Sequence, residues 1–99
     1  MWVRVARFEG GTAAGLEAEM ASTQEHLSKG PPAGLEAVKR VVEGINRDEG
    51  TGISMVFCDT EDELRQVDEV LNNMSPSSDA AGRRVSAGMY EVMNDEQVG

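Results

Sequence analysis

The chain has 99 residues, enough for one small domain with a limited core. Its 18 acidic residues outnumber the 9 lysines and arginines, and the formal charge of −9 disfavours nucleic acid and anionic membranes, which both require clustered basic side chains. A single cysteine, Cys58, excludes an internal disulfide and a cysteine-based zinc or iron–sulfur site.

No stretch approaches the roughly 20 apolar residues of a membrane span. The start, "MWVRVARFEGG", lacks the apolar core and cleavage pattern of a signal peptide, so a cytoplasmic protein is expected. The chain reads as one domain over residues 1–94, with a polar tail from 95 to 99.

"WVRVARFEG" (2–10) alternates as a strand does, with Val3 and Val5 on one face and Trp2, Ala6 and Phe8 on the other. After Gly10 and Gly11 the period changes. In 12–29, Leu16, Met20, Thr23 and Leu27 form the stripe of an amphipathic helix, with Thr12 as N-cap and Gly15 as a weak point. Gly30, Pro31 and Pro32 end that helix.

"LEAVKRVVEGI" is read as a strand from about Leu35, with a bulge within 40–44 relieved by Gly44; a helix over 35–43 is the alternative. "NRDEGTG" (46–52) is a turn, and "ISMVFC" (53–58) is a strand apolar on both faces. "DTEDELRQVDEVLNNM" opens on a capping box, Thr60 with Glu63, and carries the stripe Leu64, Val67, Leu71, Met74. A loop (75–83) leads to a last strand, "RVSAGMYEVM" (84–93).

The order is strand, helix, strand, strand, helix, strand. It predicts an α+β, ferredoxin-like βαββαβ fold: a four-stranded antiparallel sheet with two helices on one face. The strands are nevertheless apolar on both faces, where a half-solvated sheet should alternate. A homodimer closed face to face through the sheet would cover the excess.

"FEGG", "GPPAGLEAVKRVV", "RDEGTGISMVFCDTEDELRQVDEVLNNMSP" and "GRRVSAGMYEV" together resemble the antibiotic-biosynthesis-monooxygenase-like superfamily of dimeric α+β barrel proteins, in particular its small bacterial members of unassigned function. The resemblance runs from about Trp2 to Val92. It implies a twofold dimer and a small-molecule pocket between sheet and helices in each protomer. Some relatives oxidise aromatic polyketides without a cofactor, and others cleave haem with an Asn near the first strand, a Trp and a helical His. Here the second helix has no His, and no cofactor or metal is expected.

Arg4 shares a face with Trp2, Ala6 and Phe8, so its charge needs a carboxylate such as Glu43 or Glu91, or else an anionic ligand. Trp2 and Tyr90, the only Trp and Tyr, are candidates with Arg4 for ligand binding, as an aromatic wall with a polar tip, or for packing at an interface. Catalytic candidates are Tyr90, Arg4 and His26. By helical angle His26 falls beside the apolar stripe, near Glu25 and Lys29, the place of a solvated flank residue.

Cys58 is read as a small buried hydrophobe, or as a thiol activated by the helix that follows. Glu61, Asp62 and Glu63 are helix-start residues rather than a metal site. Three functions follow from this reading. They are binding of a small apolar or aromatic molecule, cofactor-independent monooxygenation of an aromatic or polyketide-type substrate, or docking of a basic partner on the acidic surface.

Overall fold

Eight residues of alternating character, Trp2–Glu9, form strand β1, which lies inside the sheet and pairs on both sides. The computed structural model describes residues 1–76 and 78–99; Ser77, in the stretch read as a loop, lies outside them. The remaining elements are α1 (Ala13–Ser28), β2 (Arg40–Asn46), β3 (Thr51–Cys58), α2 (Glu61–Asn72), a short 3₁₀ turn (Asp79–Ala81) and β4 (Arg83–Glu91). All strand pairs are antiparallel, in the order β2-β3-β1-β4. This is the ferredoxin-like βαββαβ arrangement that the periodicities predict.

Both helices begin as their sequences require. The Thr12 hydroxyl accepts from the Gly15 N–H at 3.0 Å. At α2 the Thr60 hydroxyl accepts from the Glu63 N–H while the Glu63 carboxylate accepts from the Thr60 N–H, a complete capping box. Among the described residues no helix is long and apolar enough to cross a membrane.

Two local features depart from the sequence reading. Residues 31–39 are neither strand nor helix but two successive turns, closed by Leu35 N–H to Pro32 C=O and Val38 N–H to Leu35 C=O. The turns sink Leu35 into the core under α2, and only at Lys39, whose N–H donates to Phe57 C=O, does pairing with β3 begin. The apolar residues of 35–38 therefore serve as a plug. The bulge is also elsewhere: β2 pairs with β3 from Arg40 to Asn46 without a shift, while the β1–β4 register slips at Arg7/Phe8 and leaves Val85 as the extra residue.

The core sits under α2, where Leu64 and Val67 pack with Leu35, Val56 and Cys58, and Trp2, Val41 and Met89 close its edge. Among the described residues of α1 itself, Leu16 alone is buried. The other face of the sheet carries three cross-strand rows: Arg40, Phe57, Val3, Tyr90; Val42, Met55, Val5, Gly88; and Gly44, Ile53, Arg7, Ser86. The chain leaves β4 with Val92 N–H bonded to Met1 C=O, and Asp95 lies 3.9 Å from Arg40 on β2, so the tail passes across the end of this face.

Candidate functional site

A cavity of about 240 Å³ lies between α1 and the sheet, closed on one side by the plug segment and on another by the C-terminal end of α2. Its origin is local. The floor carries small side chains at Gly52 and Ser54, opposite Phe8 and Ala6 on β1. Leu16 and Met20 reach down until their tips are 3.1 and 3.4 Å from where a Cβ on Gly52 would stand. The α1 stripe read from the sequence, Leu16, Met20, Thr23 and Leu27, is the roof. The floor is Val41, Val56 and Phe8.

The polar groups divide between two ends. At the α2 end Arg4, only 3% exposed, donates from Nε to Asp68 Oδ1 at 2.7 Å and from Nη2 to Asn72 Oδ1 at 2.8 Å. Asn72 in turn donates to Asp68 Oδ2, closing a triangle. Arg84 lies close by and donates to the carbonyls of Leu71, Asn72 and Met74, at and just past the C-terminal end of α2. At the opposite end Glu43 of β2 and Glu19 of α1 line the cavity beside Ser54 and Thr23, with His26 at the exposed rim.

Arg4 is thus buried and paired as its face requires, but with Asp68 rather than Glu43 or Glu91. The α2 helix lies directly over Arg4, whereas Glu43 pairs with Ser54, two strands from the Arg4 side of the sheet. Trp2 and Tyr90 form no common wall. Trp2 shares the helix-side face with Arg4 and packs on the core, while Tyr90 pairs with Val3 on the opposite face and is 59% exposed. Neither lines the cavity.

Cys58 is fully buried, and burial, with Glu63 and Asp59 nearby, pushes its thiol pKa up. That is the reverse of an activated nucleophile. Among the described residues no three His, Cys, Asp or Glu side chains gather as a metal site would need.

Glu43, Glu19 and Arg84 are the cavity groups that sequence reading did not single out as site residues. Glu43 left a signal: it alternates with Val41 and Ile45 on an inward-facing row, an acid among apolar neighbours. Arg84 left none, because the bulge at Val85 sets which way it faces.

Burial first, and the Glu19 carboxylate second, push the Glu43 pKa above the ordinary glutamate value. The folded state therefore holds this proton to a higher pH than the unfolded chain, and stability falls as pH rises through that interval. Glu43→Gln is expected to melt above wild type at pH 7, with the difference shrinking towards zero near pH 4. Melting curves across that range check the sign; a variant less stable at pH 7 would contradict it. No known family model matches the chain, and no curated protein does.

Proposed function

We propose that this protein binds a small apolar or aromatic molecule in the cavity under α1, and that it works as a twofold dimer of the antibiotic-biosynthesis-monooxygenase-like kind. The observation that carries the binding reading is the cavity itself: an apolar roof and floor, with polar groups confined to two ends. A well-formed apolar pocket with a few convergent polar groups is the usual form of a ligand site. At about 240 Å³ it suits a ligand smaller than the drug-sized molecules that fill pockets of ~300–1,000 Å³.

Support for the dimer comes from the open sheet face. Its three rows include Val3, Val5, Val42, Ile53, Met55, Phe57 and Tyr90, and none of their residues is acidic in a chain with 18 acids. A second copy covers such a face without burying any carboxylate of the three rows, whose charged members are Arg7 and Arg40, the latter beside Asp95.

Binding is tested by titrating isotope-labelled protein with naphthol and indole. Shifts confined to α1, the plug and the inner sheet face are expected, with loss of binding when Met20→Trp fills the roof. Shifts scattered over the surface, or none, would overturn the reading. For the dimer, sedimentation at micromolar protein is expected to give twice the chain mass, and Val42→Glu to give monomer. A wild-type monomer would sink it.

A second reading, cofactor-independent monooxygenation of an aromatic substrate, draws on one feature. Glu43 is a carboxyl of raised proton affinity inside an apolar space, suited to accept a proton from a bound hydroxyl. Oxygen uptake with hydroxylated aromatics, abolished by Glu43→Gln, is its test.

A further inference from the structure

We propose that the ligand of this cavity is an amine: an apolar body lying under α1, with its ammonium group held between Glu43 and Glu19. The inference rests on the binding reading above and adds the charge of the ligand to it.

Glu43 projects from β2 into a space walled by Met20, Leu27, Val41 and Val56, where a carboxylate loses hydration and gains none of it back from those neighbours. The nearest charge of consequence to it is another carboxylate, Glu19. Among the described residues no lysine or arginine lies within ion-pair distance of Glu43. The two guanidinium groups of the cavity are committed at the far end, Arg4 to Asp68 and Asn72, and Arg84 to three carbonyls. At one end of the cavity the guanidinium groups are thus held by the protein, and at the other, among the described residues, Glu43 has no lysine or arginine within ion-pair distance.

The way in reinforces this asymmetry. A more open hollow beside α1 and β2, lined by Glu17, Gln24 and Ile45, shares Met20, Leu27, Val41 and Glu43 with the cavity. Glu43 thus stands where the space under α1 meets solvent, and an arriving molecule meets carboxylates first. An ammonium group offers donors to both acids and replaces the proton that their proximity favours. A carboxylate ligand is repelled there, and a neutral hydroxyl leaves the charge of Glu43 unmatched.

The test compares three ligands of similar size, 2-phenylethylamine, 2-phenylethanol and 3-phenylpropionate, titrated into the whole protein at pH 7.5 and followed by residue-resolved NMR shifts. The amine is expected to bind at least about tenfold more tightly than the alcohol, with the acid weakest, since hydrogen bonds to charged groups are the stronger ones. Glu43→Gln, expected to fold more stably than wild type, should lower amine affinity about tenfold and leave the alcohol unchanged; Glu19→Gln should act in the same direction.

If the alcohol or the acid shifts the cavity residues as strongly as the amine, the amine assignment falls while the cavity reading stands. The assignment falls equally if the amine preference survives both variants, or if amine shifts spread over the acidic surface. If none of the three moves the cavity residues, both readings fall.

Discussion

Asp68→Ala is expected to cost about 3 kcal/mol of folding stability, the low end of the range for breaking a buried ion pair because Asp68 keeps 23% of its side chain exposed. The cost arises on the partner. Arg4 is nearly inaccessible to water, and without Asp68 its guanidinium retains Asn72 as its side-chain acceptor on α2. For a domain of this size the change amounts to a drop of roughly 15 °C in melting temperature.

The converse substitution should behave differently. Arg4→Met replaces a buried charge with an apolar chain of comparable length and leaves Asp68 able to turn to solvent, so its cost is expected below about 1 kcal/mol. Urea denaturation of the two variants measures the asymmetry. Equal losses would mean that the pair is solvated and that β1 and α2 are held together by something else.

Gly15→Ala should destabilise by about 2 kcal/mol, although helix propensity alone favours alanine by roughly 1 kcal/mol. A Cβ on Gly15 would stand 2.1 Å from the Ala80 carbonyl oxygen and 2.6 Å from the Ala80 Cβ. The obstacle is backbone and cannot rotate away. It is also held in place: Ala80 C=O accepts from Thr12 N–H at 2.8 Å, and a Cβ on neighbouring Gly82 would meet Glu9 O at 2.6 Å, so the 3₁₀ turn has little room to retreat. Overpacking of this kind costs ~1–3 kcal/mol, and a displaced turn also weakens the Thr12 bond. Ala21→Gly, on the exposed side of α1, is the control and should lose about 1 kcal/mol through propensity alone. Stabilisation by Gly15→Ala would show that the turn does not press on α1.

Gly15 also shows where sequence reading stops. As a sequence feature it is a flaw in a helix; in the fold it is the point at which α1 and the 79–81 turn touch. The α1 stripe, the α2 stripe up to Leu71, the capping box and the succession of strands and helices were legible because each depends on neighbours within a few residues, whereas Met74, read as the end of the α2 stripe, lies beyond the helix and is half exposed. The start of β2 was not. Leu35 and Val38 look like strand residues, and only the space beneath α2 turns Leu35 into a plug.

The bulge was expected near Gly44 and lies opposite Arg7 and Phe8, because a bulge belongs to a pairing register rather than to a glycine. Asp68 lies 64 residues from Arg4, and no pattern along the chain distinguishes it from the other acids. The cavity was anticipated in place, between sheet and helices, but not in its lining. Gly52 and Ser54 reveal themselves as a hollow only once they are set beside Ala6 and Phe8 on β1.

The displaced bulge bears on how the protein survives at high concentration. β4 is an outer strand, and outer strands present unpaired N–H and C=O groups on which other chains can extend the sheet. At Val85 the run of those groups is interrupted and the strand twists, and Arg83 and Arg84 place charge just before the break. Stacking of chains strand against strand is thereby blunted at the β4 border, and fibre growth from it is opposed by the same irregularity that turns Arg84 towards α2.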